Sequence, residues 1–171
     1  LIQLKGLVPP YVRIERVIRD IPSTSIRAGC RFINLRQAVQ RRMHSRGLRC
    51  RCLRCREIRD TADGTYVVTR RDYEAADGTE VFLSYEDPTT DKLAAFLRLR
   101  IPAAAHRRIP HWPAPAPARV GPGWPVLQEA ALIRELHTYG RHLPLHDRSD
   151  QAAQHRGFGR RLVEEAERIA H

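Results

Sequence analysis

Three closely spaced cysteines are the strongest chemical signal in this 171-residue sequence. Cys50, Cys52 and Cys55 form a Cys-x-Cys-x-x-Cys pattern, and Cys30 lies upstream of it. Thiolates at this spacing suit one face of a tetrahedral zinc site, whose fourth ligand would be Cys30, His44 or a group from another domain. The alternative is three reduced, unliganded cysteines. The first residues lack a secretion-signal pattern, which favours a cytoplasmic protein and a structural zinc site over a disulfide framework.

A second signal is the segment QHRGFGRR at residues 154–161. Gly157 and Gly159 permit positive φ angles and close backbone approach, and a helix beginning there would supply unpaired N–H groups and a positive dipole end. The three arginines of the segment add positive charge. The segment therefore predicts a phosphate cradle, the alternative being a tight turn without a ligand.

Charge is distributed unevenly along the chain. Thirty Lys and Arg side chains against 19 Asp and Glu give a formal charge of +11. Residues 1–59 hold 15 basic and 3 acidic side chains, which is +12, whereas the other 112 residues hold 15 and 16, which is −1. This asymmetry predicts a surface for a polyanion in the first third. Phosphate contacts with RNA are expected from eight arginines: Arg41, Arg42, Arg46, Arg49, Arg51, Arg54, Arg56 and Arg59.

The basic tract at residues 1–59 is expected to be helical. The sequence after Pro10 predicts a short helix that Pro22 ends. A second helix is expected from Asn34, with Leu35, Val39 and Met43 on its apolar face, and Gly47 is expected to stop it.

The remainder of the chain has the pattern of a sheet with helices. Residues 65–101 predict a hairpin around Asp77-Gly78 and a further strand from Leu93 to Ile101. A proline-rich insertion at 102–125 separates these from a strand at 131–140, in which Leu132, Arg134, Leu136 and Thr138 are expected to share one face. The last segment predicts a helix with Leu162, Ala166 and Ile169 on one stripe.

The order of strand, glycine loop and helix resembles the GNAT acetyltransferases, whose pyrophosphate loop has the pattern Gln-x-x-Gly-x-Gly. In that family the strand before the loop binds pantetheine through its exposed backbone. The resemblance implies that acetyl-CoA is bound by Glu135, Leu136, His137 and Thr138 on the strand and by Gln154, Arg156, Gly157, Phe158, Gly159 and Arg160 at the loop.

Longer motifs are similar to the catalytic subunit of Elongator. They are YVRIERVIRDIP at 11–22, CRCLRCREIR at 50–59, FLSYEDP at 82–88, LRLR at 97–100, IRELHTYG at 133–140 and the glycine loop with its helix. That family joins a radical S-adenosylmethionine domain to a GNAT-type acetyltransferase and adds a carboxymethyl-type group to the wobble uridine of tRNA. The resemblance implies tRNA and acetyl-CoA as partners and a radical domain normally in the same chain, with its iron–sulfur cluster and S-adenosylmethionine.

Two departures predict an incomplete fragment. The Cys-x4-Cys-x2-Cys motif of the radical domain is absent, and the tyrosine-bearing segment of the family would lie beyond His171, so the catalytic residue stays unknown. The prediction is thus an α+β chain: a basic zinc-binding linker at 1–59, then a GNAT-like domain at 60–171 whose mixed, mainly antiparallel sheet is flanked by helices. No membrane span is expected, and self-association is a further expectation. The alternatives are a protein lysine acetyltransferase and a non-catalytic RNA-binding fragment.

Overall fold

The computed structural model describes residues 1–17, 21–29, 34–59, 63–75, 78–103, 130–141, 146 and 156–171. The chain divides into two compact units, an N-terminal unit (Leu1–Arg56) and a sheet unit (Glu57–His171). The proline-rich stretch at 104–129, Asp77, Cys30 and Gln154 lie outside the described residues.

The described residues of the N-terminal unit form three short helices and a 3-10 turn. The helices are α1 (Ile2–Leu7), α2 (Leu35–His44) and α3 (Leu53–Arg56), and the turn is Ser23–Ser25. The prediction of α2 is confirmed, because Val39 and Met43 are buried on its inner face. Asn34 precedes α2 with a left-handed φ of 64°, and its side chain does not cap the helix. The helix ends before Gly47, which also has a positive φ of 66°.

The helix expected after Pro10 is wrong. Residues 11–17 are not helical, because their carbonyl groups accept hydrogen bonds from other segments of the same unit. The Leu53 N–H donates to the Val12 carbonyl at 2.9 Å, and Arg36 donates to the carbonyls of residues 14 and 15 at 2.8 Å each. A helix would need those carbonyls for its own i to i+4 bonds, so contacts distant in sequence override the local propensity.

The sheet unit is built, in the part that the structure describes, on four antiparallel strands in sequence order. They are β1 (Val67–Glu74), β2 (Gly78–Glu86), β3 (Leu93–Pro102) and β4 (Leu132–Thr138). The predicted hairpin and third strand are confirmed, and all three pairings among these described strands are antiparallel, whereas Glu57 forms an isolated parallel bridge with Leu93. Gly78 at the start of β2 is required by packing, since a Cβ there would lie 2.6 Å from the Ile101 carbonyl oxygen.

One face of the sheet is covered by α4 (Phe158–Ala170). Its predicted apolar stripe is confirmed, because Leu162, Ala166 and Ile169 are buried. The helix packs chiefly against β3 and also contacts β2 and β4. Burial of this stripe is the main hydrophobic contribution of the helix to the fold, at about 25 cal/mol per Å² of apolar surface removed from water.

The outer strand β4 carries a bulge at Arg134. Arg98 pairs with Glu135 and Leu99 pairs with Ile133, so one extra residue of β4 is accommodated between them. The prediction that Arg134 shares a face with Leu136 is therefore wrong. Arg134 reaches the carboxylate of Glu80, whereas Leu136 lies next to α4.

Candidate functional site

The N-terminus of α4 presents backbone donors that no side chain satisfies in the described part of the chain. Gly157 occupies the N-cap with φ 68° and ψ 18°, and the first turn contains no acidic residue. The Arg161 N–H closes the first turn on the Gly157 carbonyl at 3.1 Å. The N–H groups of residues 158–160 therefore have no acceptor within the helix, and unpaired donors of this kind are able to bind an anion.

Phe158 fixes the loop to the core and aligns two arginines beside it. Its ring lies 4.6 Å from the Tyr85 ring and 5.6 Å from the Tyr66 ring, centroid to centroid. The Arg156 guanidinium lies 5.0 Å from the Phe158 ring centroid, and the Arg161 guanidinium lies 5.5 Å from it. Arg161 also donates to the Arg156 carbonyl at 2.9 Å. Each cation–π contact contributes about 0.5–1 kcal/mol at an exposed site, so the two cations are held near the helix N-terminus.

The first turn of α4 lies directly against β4. A Cβ added at Gly159 would lie 3.5 Å from Thr138 Oγ1 and 3.9 Å from Leu136 Cδ2. In the described sheet, β4 pairs on one side only, with β3, and most of its residues are exposed. An outer strand offers unpaired N–H and C=O groups to an extended ligand. The backbone N–H groups of β4 that are unpaired within the described sheet and those of the α4 N-terminus are therefore near one another.

The cofactor-site residues predicted from sequence do not all face this place. Leu136, Thr138, Gly157 and Gly159 come together there, as described above. Arg160 is exposed and pairs with Glu164 at 2.8 Å. Of the remaining assigned residues, Phe158 is buried, whereas Glu135 and His137 are exposed. Glu135 accepts a hydrogen bond from Arg98 at 2.9 Å, and the His137 ring centroid lies 6.0 Å from that of Phe96 and 4.4 Å from that of Tyr139.

Sequence reasoning missed a buried carboxylate next to the β4 bulge. Glu80 is 1% exposed, and its Oε1 accepts a hydrogen bond from Arg134 Nη1. Arg100 Nη1 lies 3.5 Å from the same oxygen. This hydrogen bond raises the pKa of the Arg134 guanidinium. The alternating strand pattern around Glu80 predicts an exposed side chain, so no sequence signal identified the pair.

The three clustered cysteines are brought together as the spacing indicated. Their sulfur atoms all lie within 4.8 Å of one another, with Cys52 buried and the other two half-buried. The edge of a tetrahedron with Zn–S bonds of about 2.3 Å is about 3.8 Å, so small side-chain movements suffice for zinc ligation. A hydrogen bond from Cys55 lowers the pKa of Cys52 to about 4, and the shared proton raises the pKa of Cys55.

Two polar groups face the Cys55 sulfur. Gln40 Nε2 donates to it at 3.3 Å, and Lys5 Nζ lies 4.0 Å from it. Lys5 is only 3% exposed, and a buried ammonium requires a nearby negative charge. A thiolate cluster supplies that charge, so the residues present fit a zinc ion held by three thiolates. Among the described residues His44 does not join the cluster.

Seven of the eight arginines assigned to RNA are exposed, and the seven include all those between residues 41 and 54. Arg56 differs, since it is 3% exposed and donates to the Pro10 carbonyl at 3.4 Å. Its position in the interior gives it a structural role in the N-terminal unit.

No helix in the described ranges is both long enough and apolar enough to span a membrane.

The antiparallel sheet and its covering helix fit an α+β domain of the acetyltransferase type. No protein-family model matches the sequence. The tRNA uridine(34) acetyltransferase of Dehalococcoides mccartyi is 45% identical over 172 residues, which is 98% of this chain and 34% of that protein. Elongator complex protein 3 of Schizosaccharomyces pombe is 40% identical over 174 residues, 98% of this chain and 29% of that protein.

The chain is also similar to a solved structure of the same kind of protein. The archaeal Methanocaldococcus infernus Elp3 with an N-terminal deletion aligns with a TM-score of 0.72 and 38% identity, covering 99% of this chain and 38% of that one. The resemblance to the catalytic subunit of Elongator is therefore confirmed, and the chain is homologous to members of that family over nearly its whole length. It spans about a third of the length of the curated relatives it matches.

Proposed function

We propose that this chain is the acetyl-CoA-binding part of an enzyme that modifies the wobble uridine of tRNA with a carboxymethyl-type group. The observation that carries the proposal is the uncapped N-terminus of α4 lying against the outer strand β4. The similarity of the chain to proteins named tRNA uridine(34) acetyltransferase supports the same assignment. Bound acetyl-CoA would supply the two-carbon unit.

The proposed site divides acetyl-CoA between two backbone surfaces. The N–H groups of residues 158–160 would hold the pyrophosphate, with the helix dipole and the guanidinium groups of Arg156 and Arg161 adding positive charge. The backbone of residues 135–138 would bond the pantetheine as an added strand, in the manner of GNAT acetyltransferases. The side chains of Glu135 and His137 contact Arg98, Phe96 and Tyr139 of this chain, so the proposed contacts on this strand come from its backbone.

The proposal assigns no catalytic residue. The ring of His137 contacts those of Phe96 and Tyr139, and no described contact gives this exposed histidine the role of a general base. Proton transfer in the reaction would need a group beyond the described residues. A radical S-adenosylmethionine domain, with its iron–sulfur cluster, would act together with this chain in the cytoplasm.

The N-terminal unit is proposed to bind tRNA. Zinc bound by Cys50, Cys52 and Cys55 would tie α3 to the turn before it and keep the surrounding arginines in place. Six exposed arginines of this unit, together with Arg59 just after it in the sequence, would contact phosphates, and each neutralised phosphate adds about 0.7–0.9 to the slope of log affinity against log salt. Such contacts position RNA without reading its sequence.

Calorimetry with the zinc-loaded chain tests the acetyl-CoA site. Acetyl-CoA is compared with acetyl-pantetheine, which keeps the thioester and lacks the pyrophosphate. We expect acetyl-CoA to bind at least tenfold more tightly, because the helix N-terminus has no partner in the shorter ligand. Equal affinities, or no binding of either ligand, would contradict the proposal.

The alternatives predict other results. A lysine acetyltransferase would transfer the acetyl group to a basic histone peptide, which the positive N-terminal unit repels. A non-catalytic RNA-binding fragment would bind tRNA with strong salt dependence and would not bind acetyl-CoA. Measuring acetyl-CoA and tRNA binding on one preparation therefore separates the three functions.

A further inference from the structure

The N-terminal unit contains a cavity of about 360 Å³ that the proposed acetyl-CoA and zinc sites do not use. It lies between the extended segment at residues 15–17, the first turn of α2 and Arg54 of α3. Small-molecule sites in proteins start at about 300 Å³, so the cavity has room for a ligand of modest size. All of its lining residues are among those the structure describes.

Positive charge dominates the lining. Arg16, Arg36 and Arg54 face a single acidic residue, Glu15. Two of these arginines are held in place by backbone: Arg36 Nη2 donates to the carbonyls of Ile14 and Glu15, and Arg54 Nη1 donates to the Glu15 carbonyl, all at 2.8 Å. The acceptors of these hydrogen bonds are neutral carbonyl groups, so the bonds do not compensate the positive charges of the two guanidinium groups.

Two features show unused donor capacity at the cavity. Arg36 Nη1 is shielded from solvent and has no hydrogen-bond partner among the described residues. Asn34 and Gln37, which also line the cavity, flank the start of α2, where no side-chain cap bond is formed and no acidic residue lies in the first turn. A buried guanidinium nitrogen without an acceptor is costly, and a side-chain movement that turns it toward an anionic ligand in the cavity would remove that cost.

We propose that this cavity binds one ribonucleotide unit of an RNA chain through its phosphate. The three guanidinium groups would bond the phosphate oxygens, and the dipole of α2 would add to their field. Glu15, the lone carboxylate of the lining, would accept a hydrogen bond from a ribose hydroxyl, a group that separates RNA from DNA. The proposal rests on RNA binding by the N-terminal unit and gives that binding a defined pocket.

The test uses uridine 5′-monophosphate as the probe and the zinc-loaded full chain as the protein. Amide chemical shifts and calorimetry are recorded for wild type and for Arg16→Gln, which changes a side chain without a described hydrogen bond. Arg27→Gln is the matched control, because Arg27 is exposed, lies in the same unit and does not line the cavity. Arg54→Gln is a second cavity variant, and thermal melting reports whether each variant folds.

We expect the nucleotide to shift the amides of residues 34–37 and to bind about tenfold more weakly to Arg16→Gln, with less than a twofold change in Arg27→Gln. Uridine without phosphate should not bind. Glu15→Gln should reduce the preference for uridine 5′-monophosphate over its 2′-deoxy form. Absence of nucleotide binding, or equal weakening by Arg16→Gln and Arg27→Gln, would overturn the assignment.

Two further measurements identify the source of the phosphate and separate the proposals. If the occupant is RNA, tRNA displaces the nucleotide, and Arg16→Gln weakens tRNA binding more than Arg27→Gln does. A free nucleotide as occupant would leave tRNA affinity equal in the two variants and would overturn the RNA assignment. Acetyl-CoA binding should be unchanged in both, so loss of the pocket is distinguishable from failure of the proposed acetyl-CoA function.

Discussion

Replacing Gly159 by alanine should weaken ligand binding at the proposed site while the fold of the sheet unit stays intact. Gly159 is the second residue of α4, after the N-cap Gly157. An added Cβ would make ordinary van der Waals contacts, at 3.5 Å with Thr138 Oγ1 and 3.9 Å with Leu136 Cδ2. The steric cost is therefore small. Alanine also favours a helix over glycine by up to about 1 kcal/mol in the interior and by about half of that in a first turn.

The expected result is a variant that is slightly more stable and binds more weakly. A gain of about 0.5 kcal/mol raises the melting temperature by about 1–2 °C for a chain of this size. The new methyl group stands between the helix N–H groups and β4, where the pyrophosphate and pantetheine are proposed to meet. We expect at least tenfold weaker binding of acetyl-CoA, equivalent to about 1.4 kcal/mol. Calorimetry and thermal melting measure the two effects.

Gly157→Ala is the matched control with the opposite pattern. At Gly157 a Cβ would meet nothing within 4 Å, but the φ of 68° strains a residue with a side chain. The strain is about 1 kcal/mol, so stability should fall and the melting temperature should drop by about 2–4 °C. Acetyl-CoA affinity should change less than in Gly159→Ala. A Gly159→Ala protein that binds acetyl-CoA as tightly as wild type would refute the placement of the ligand.

Three further changes test other parts of the molecule. Cys52→Ser should reduce the bound zinc from one ion per chain to none by metal analysis and unfold the N-terminal unit; retention of a full equivalent would contradict the zinc assignment. Glu80→Ala should cost about 1–3 kcal/mol by denaturant unfolding, because Arg134 loses its buried partner, whereas the exposed Glu164→Ala should cost less than about 0.5 kcal/mol. Hydrogen bonds from Thr89 and Thr90 lower the pKa of the Asp87 carboxyl below its usual 3.8. Wild type should therefore be more stable than Asp87→Asn, with the full difference above pH 3.8. That difference should vanish as the pH falls through the lowered pKa, because the carboxylate is then protonated. An advantage that persists at the lowest pH, measured by thermal melting across a pH series, would contradict this sign.

Regular elements with strong periodicity could be predicted from the sequence. The stripe of α4 and the buried residues of α2 follow from spacing alone, because each helix has one apolar face. The β1–β2 hairpin likewise follows from β-branched residues on either side of a turn signal. The glycine loop was placed correctly between strand and helix, since two glycines and a following amphipathic stretch are local features.

Features that depend on distant partners could not be predicted. Residues 11–17 contain a helical pattern, yet Arg36 and Leu53, far along the chain, bond their carbonyls. The bulge at Arg134 depends on the buried carboxylate of Glu80, which is 54 residues away in sequence. Likewise, nothing in the spacing of the arginines distinguishes the buried Arg56 from its exposed neighbours. In each case a tertiary contact, and no local preference, decides the outcome.

The exposed outer strand also affects how this chain behaves at high concentration. Leu132, Ile133 and Leu136 are 40%, 39% and 44% exposed on β4, beside backbone groups that are unpaired within the described sheet. Such an edge is a template on which a second sheet can add and aggregation can start. The bulge at Arg134 bends the strand and brings a charge to it, and both limit that process. A bound ligand along β4 should therefore act as a solubilising additive during purification and storage.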